Sequence, residues 1–236
     1  MQPLPFYVYI IFDLTVIATI ALFYKAANSS KRFLVIVSLW AVFQSILGMN
    51  DFYTVDTTPP RFLLLVVPPV LLLLITLMVP AGRRFIDGLH IRTLTILHTI
   101  RIPVEMVLYW LFLHKVIPQV MTFEGRNFDI LAGLSAPLVW YFAFVSGSLN
   151  KTMLLIWNLV SLGLLLNIVT IAMVTVSAKV PPAGLALPTI ALAYFPFLLL
   201  PTCLVPLVLF SHMAAIRQLL KELLPHSSAS YHPHSV

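Results

Sequence analysis

What this sequence lacks narrows it faster than what it contains. Charged residues fill 9% of its 236 positions, against about a quarter in an average soluble domain, so a broad water-facing surface is excluded. Cys203 is the single cysteine. No intrachain disulfide or cysteine-rich metal cluster can form, and within an apolar run that thiol reads as a small hydrophobe. No glycine-rich phosphate loop and no H-E-x-x-H motif occurs, and "LAGLSAP" departs from G-x-S-x-G after its serine. The sequence therefore offers no grounds for nucleotide, zinc-protease or serine-hydrolase chemistry. The last apolar run, residues 190–210, has no lysine for a retinal Schiff base. The pI near 9.6 comes without a basic-aromatic patch, which argues against a nucleic-acid partner.

What is abundant is long apolar sequence. Sixty per cent of the residues are hydrophobic and the mean hydropathy is +1.00. The runs are continuous, not alternating, which selects helices over barrel strands as the way to satisfy a backbone in lipid. Seven of them, residues 6–24, 33–49, 62–79, 94–114, 128–145, 153–176 and 190–210, reach or approach the roughly 20 residues of a span. The predicted fold is all-α: a polytopic bundle of about seven transmembrane helices, one domain over residues 1–224. The polar segment 225–236 is expected to be a flexible tail, and its His232 and His234 form only an H-x-H pair. The first run is read as a retained helix, because it carries Asp13 in its core and is followed by Lys25 in place of a small-residue cleavage site.

Basic residues set the expected orientation. Lys25, Lys31, Arg32, Arg83, Arg84, Arg92, Lys151, Arg217 and Lys221 fall on one side of the seven runs, and Arg61, Lys115, Arg126 and Lys179 on the other. Nine against four places the N-terminus outside and the C-terminus in the cytoplasm. The basic, amphipathic stretch "PAGRRFIDGLHIRT" then lies at the cytoplasmic surface near anionic lipid. "SHMAAIRQLLKELL" is expected to extend the seventh helix, with Ile216, Leu220 and Leu223 on one stripe.

The fourth run holds "HTIRIPVEMVLYW", with Arg101, Pro103 and Glu105 near its midpoint. An isolated charge there costs roughly 2.5 to 3.5 kcal/mol on the lenient insertion scale. The i, i+4 spacing puts Arg101 and Glu105 on one face, where they are expected to pair and turn inward. Pro103 cannot donate to the carbonyl near residue 99, so a bend is predicted there. Asp13, Gln44, Asn167 and Thr202 lie at comparable depth on other runs. Together these six residues form the expected ligand- or ion-binding centre: two acids, one arginine, and a carboxylate free to hold a proton or meet a cation. A hydrogen-bonded network that only fixes helix packing is the competing account.

A second polar concentration, "MTFEGRNFDILAGLSAP", lies on the outer side. Glu124, Arg126 and Asp129 there, near Asn50, Asp51 and Asp56, are expected to shape an outer vestibule, with Asn127 or Asp129 capping the fifth helix. Gly125 allows a tight turn, and Gly133, Ser135 and Ala136 make a small-residue face. Pro68, Pro69, Pro137, Pro196, Pro201 and Pro206 interrupt the helices at membrane depth, and their freed carbonyls need buried partners.

The stretches "IRIPVEMVLYWLF", "MTFEGRNFDILAGLSAP" and "YFPFLLLPTCLVPLVLFSHMAAIRQLL" resemble an uncharacterised family of bacterial, Bacteroidetes-type multi-span membrane proteins, over most of the chain from about residue 80. The resemblance implies a bacterial inner-membrane location and brings no assigned activity or cofactor. Three functions fit the sequence. One is a small carrier or ligand-binding sensor for a small solute, proton or cation. Another is a membrane-embedded enzyme or haem protein, with His98 and His212 as a bis-His pair. The last is a structural or assembly protein without a small-molecule site.

Overall fold

The computed structural model describes residues 4–55, 57, 61–177 and 189–224. Expectations resting on Asp56, Lys179, His232 and His234 lie outside them. The described residues form helices and turns with no strand among them: α1 (Phe6–Ala26), α2 (Lys31–Met49), α3 (Leu63–Met78), α4 (Pro80–Asp87), α5 (Ile91–Leu97), α6 (Arg101–Leu113), α7 (Ile130–Phe144), α8 (Lys151–Ser177) and α9 (Val205–Leu223). Five stretches are long and apolar enough to cross a membrane: α1, α2, Ile91–Leu113, Lys151–Thr175 and Leu200–Leu223. The pair α3 and α4 passes the same test jointly but is bent by 91°.

Burial ranks these elements. Buried residues make up 61% of the Leu200–Leu223 window and 50% of the Ile91–Leu113 window, but only 11% of the α2 window. The stretches Ile91–Leu113 and Leu200–Leu223 are therefore the centre of the bundle, and α2 lies at its edge. Helix α1 shows how sequence meets packing: Val8, Phe12, Val16 and Phe23 recur at helical spacing and all are buried. Thr15 and Thr19 on the same helix return their hydroxyls to Ile11 and Thr15 carbonyls at 2.7 Å, so neither leaves a polar group bare.

The helix expected over 94–114 is two helices joined by a 3₁₀ turn, His98–Ile100. Pro103 accounts for this, since the missing N–H removes the α-type bond to Thr99 and the preceding turn tightens. The helix expected over 190–210 is displaced. A 3₁₀ turn covers Thr189–Ala193, a π-helical turn covers Leu200–Leu204, and regular α-helix runs only from Val205 to Leu223. Pro196, Pro201 and Pro206 explain the shift, because each denies the backbone one ladder bond. Trp40 on α2 compensates for one of them: its indole Nε1–H donates to the Thr202 carbonyl at 2.9 Å, which a residue with an N–H at position 206 would otherwise have reached. The stripe Ile216, Leu220 and Leu223 lies, as expected, on the continuation of this helix, in the C-terminal half of α9.

Helix α7 has 15 residues, about 22 Å at 1.5 Å per residue. The connection that precedes it, residues 114–129, folds back into the bundle: Ile117, Met121, Thr122 and Asn127 are all buried. This inward fold carries Asn127 and Asp129 down to the level of Arg101 and Glu105.

Candidate functional site

Arg101 is 2% exposed and lies where α6, α7, α8 and α9 meet. Its Nη1 donates to the Ser161 carbonyl of α8 at 3.2 Å, and lies 3.3 Å from the Asp129 Oδ1 at the head of α7. The Asp129 contact is an ion pair without hydrogen-bond geometry, which leaves Oδ1 lacking a donor. Nη2 lies 3.1 Å from His212 Nε2 on α9. A guanidinium can only donate, so His212 Nε2 must carry the lone pair and its proton sits on Nδ1. That proton faces Asn158 Oδ1 at 3.0 Å, and the Asn158 amide in turn donates to the Leu154 carbonyl at 2.9 Å. One arginine thereby fixes the tautomer of a histidine and the flip of an asparagine on two other helices.

Glu105 does not bond to Arg101. Its Oε1 accepts from Asn127 Nδ2 at 2.6 Å, and the same amide nitrogen reaches the Met121 carbonyl at 3.0 Å. Asn127 Oδ1 accepts from the Asp129 N–H at 3.1 Å, so Asn127 organises the chain just before α7. The expected i, i+4 pair is replaced because Asp129, delivered by the folded-in connection, takes the guanidinium. Glu105 stays within range of the charges of both Arg101 and Asp129.

The approach of α7 to this point depends on Gly133. A Cβ there would stand 3.0 Å from Ile102 N and Cγ1 and 3.1 Å from Arg101 Cβ, tighter than ordinary van der Waals contact. Beyond His212, the ring of His98 stacks on it with centroids 3.8 Å apart and planes 14° from parallel. His98 Nε2 lies 3.1 Å from Ser211 Oγ, which also donates to the Val208 carbonyl at 2.7 Å. Two imidazoles in face contact leave no room for a porphyrin between them. The bis-His pairing of His98 and His212 would require the rings to part.

The other expected site residues go elsewhere. Asp13 on α1 is half-buried and makes no hydrogen bond or ion pair among the described residues. Gln44 accepts from the Tyr53 hydroxyl. Asn167 is exposed and donates to the Arg126 carbonyl at 2.8 Å, and Thr202 Oγ1 returns to the Leu198 carbonyl at 2.8 Å. Glu124 and Arg126 are exposed and make no ion pair with each other; the Glu124 carboxylate lies near the Tyr109 hydroxyl. Asp129, placed in the vestibule by the sequence, is a buried counter-ion of the centre. Asn127, Asn158, Ser161 and His212 are the residues that sequence reasoning left out of the centre. A signal existed in α8, where Leu154, Asn158, Ser161 and Leu165 form one buried helical stripe with polar residues in its middle.

One property distinguishes this cluster within the described residues. The buried side-chain polar atoms without a hydrogen-bond partner are His98 Nδ1, Thr99 Oγ1, Arg101 Nε, Glu105 Oε2 and Asp129 Oδ1; four of the five belong to it, and Thr99 follows His98 on the 3₁₀ turn. A cleft lined by Phe62, Val66, Leu108, Met121, Leu200 and Pro201 lies alongside, wholly apolar. It shares Met121 with the Asn127 contact but contains none of the charged groups. No group of three or more potential metal ligands occurs among the described residues.

A domain of unknown function, DUF8737, matches residues 59–220, which hold every member of the charged cluster. The chain belongs to the DUF8737 family. No curated protein and no solved structure matches it.

Proposed function

We propose that this DUF8737 protein is an integral membrane protein with seven spans. Its buried centre holds a proton or small cation, as a small carrier or ligand-binding sensor requires. The observation that carries the reading is the concentration of buried polar atoms without a hydrogen bond on Arg101, Glu105, Asp129 and His98. Native interiors leave few such atoms, and each asks for a partner. Here one guanidinium faces two carboxylates, so a neutral centre needs one more positive charge. Two of these atoms are carboxyl oxygens: Asp129 Oδ1 faces the Arg101 guanidinium without a hydrogen bond, and Glu105 Oε2, with no partner, is the natural acceptor for a proton, a cation or a cationic solute.

The seven-span reading rests on counting α1, α2, α3, α5 with α6, α7, α8 and the Leu200–Leu223 stretch. Helix α4 is then a surface segment turned across the bundle end, and the connection 114–129 completes the outer part of the slot that α7 is too short to fill. The nine-to-four distribution of basic residues supports an outside N-terminus and a cytoplasmic C-terminus. The resemblance to bacterial multi-span proteins supports the inner membrane. A periplasm-only reporter fused to the C-terminus should be inactive; strong activity would reverse the orientation.

The test of the centre is infrared difference spectroscopy of the protein in lipid, between acidic and alkaline buffer. A protonated-carboxyl stretching band should titrate in the native chain and be lost in Glu105→Gln, a change that keeps an acceptor for Asn127. A spectrum without such a band, or one unchanged by the substitution, overturns the proposal. The pure scaffold reading has support of its own, because Arg101 ties four helices together. It predicts that replacing Arg101, Glu105 or Asp129 changes fold and abundance alone, and that the native chain shows no titrating carboxyl band.

A further inference from the structure

The charge imbalance at the α4 end of the bundle has the opposite sign. The connection between α1 and α2 is fastened to the segment after α4: Asn28 Nδ2 donates to the Gly88 carbonyl at 2.7 Å, and the His90 N–H to the Ala26 carbonyl at 2.9 Å. Phe33 stacks on Phe85 with centroids 6.3 Å apart, and Phe85 on Phe210 at 6.2 Å. These contacts bring Lys25, Lys31 and Arg32 to the same face as Arg83 and Arg84. All five are exposed.

None of the five makes an ion pair among the described residues. The acids of this end are taken: Asp87 by Arg217 at 2.9 Å and Lys221 at 3.0 Å, and Glu222 by Lys151 at 2.8 Å. Lys31 and Arg32 also occupy the first turn of α2, with no acid beside them, where the helix dipole disfavours a cation. Helix stability therefore does not explain them. Helix α4 stands at 91° to α3, buries Ile86 inward and leaves Arg83 and Arg84 outward. Its segment is an amphipathic helix laid across the end of a spanning bundle, the geometry of an interfacial helix.

We infer that this face is a docking surface for anionic glycerophospholipid headgroups of the adjoining leaflet. Lys31 and Arg32 on one side and Arg83 and Arg84 on the other hold the phosphates, and Lys25 reinforces them. The headgroup supplies the negative charge that the chain itself withholds here, and basic clusters beside a span attract such lipids strongly. The inference rests on the membrane reading but not on the role of the buried centre.

The experiment is thermal unfolding of the purified chain in detergent, titrated with phosphatidylglycerol or with phosphatidylcholine. Binding to the folded state raises Tm. Phosphatidylglycerol should raise it above the phosphatidylcholine value, and high salt should erase the difference. In the fourfold variant K31Q/R32Q/R83Q/R84Q, half-saturation should require on the order of tenfold more phosphatidylglycerol, or more. K115Q/R126Q removes two cations at the other end of the bundle and should respond as the native chain does. If the fourfold variant does not fold, K31Q/R32Q and R83Q/R84Q are measured separately, each expected to weaken the response severalfold. Equal responses to the two lipids, an unaltered response in these variants, or the same shift from glycerol phosphate alone would each overturn the inference. Recovery of the chain in the soluble fraction without detergent would instead refute the membrane reading.

Discussion

Two arginine–aspartate contacts in this molecule share their chemistry and differ in everything around it. In the Arg101–Asp129 pair the side chains are 2% and 6% exposed, and a second carboxylate, Glu105, stands nearby. In the Arg217–Asp87 pair they are 33% and 24% exposed, and a second cation, Lys221, shares the acid. The first sets two acids against one cation, away from water. In the second, Asp87 is shared by two cations where solvent can screen them. Breaking a buried pair costs roughly 3 to 5 kcal/mol, whereas an exposed pair contributes about 0 to 1 kcal/mol. The surface contact is therefore read as a clasp, and the buried one as the place where two acids share one cation.

The comparison breaks most directly at Arg101. Arg101→Met leaves two buried carboxylates without a cation and His212 Nε2 without its donor, so a loss of about 3 to 5 kcal/mol is expected, read from unfolding in detergent. Asp129→Asn should cost less, because Glu105 remains to balance the guanidinium. A larger loss for Asp129→Asn than for Arg101→Met would show that the excess of acid is not what organises the centre.

Two substitutions sharpen how the backbone delivers that centre. Gly133→Ala presses a methyl against Ile102 and Arg101 and should cost about 1 to 3 kcal/mol by pushing α7 off α6, with the same infrared band perturbed. Trp40→Phe strands the Thr202 carbonyl at a cost of about 1 kcal/mol. Pro206→Ala restores a backbone N–H that can reach the carbonyl, so the double variant should be less than additive in a double-mutant cycle. Strict additivity would mean that the indole and the proline do not share that carbonyl.

The sequence foretold the class of fold because apolar runs report directly on helices, and it foretold the break before Arg101 because Pro103 has one unavoidable consequence. The seventh run misled for a related reason. Three prolines moved the regular helix to Val205–Leu223, and that shift leaves Thr202 in the π-helical turn before it and puts His212 near its middle. The Arg101 partner was illegible for a different reason. Spacing along one helix favours Glu105, but a connecting segment that folds inward brings Asp129 from 28 positions away. Local periodicity contains nothing about the path of a loop. Asp13, Gln44, Asn167 and Thr202 were grouped by depth alone, and depth says nothing about which way a helix is turned.

The smallest expected effect belongs to the clasp. Partial burial pushes the Asp87 carboxyl up, but hydrogen bonds from Arg217 and Lys221 and their charges together hold it below its ordinary value of 3.8. The acid titrates lower when folded than when unfolded, so its contribution is fully present above the unfolded value. It is lost as pH falls through the folded one. Asp87→Asn should therefore lower Tm by a small, constant amount at neutral and mildly acidic pH, corresponding to less than about 1 kcal/mol given the exposure of the pair. Toward and below pH 3.8 the native and variant curves should converge. The buried acids also titrate in both proteins, so the difference between curves isolates Asp87 from them. High salt should shrink the gap as well, because Arg217 and Lys221 reach Asp87 through partly exposed paths. A gap that persists into acid would mean that Asp87 acts through packing with α9 and not through its charge. The contrast between a buried centre governed by charge count and a surface clasp governed by screening would then fail on its weaker side.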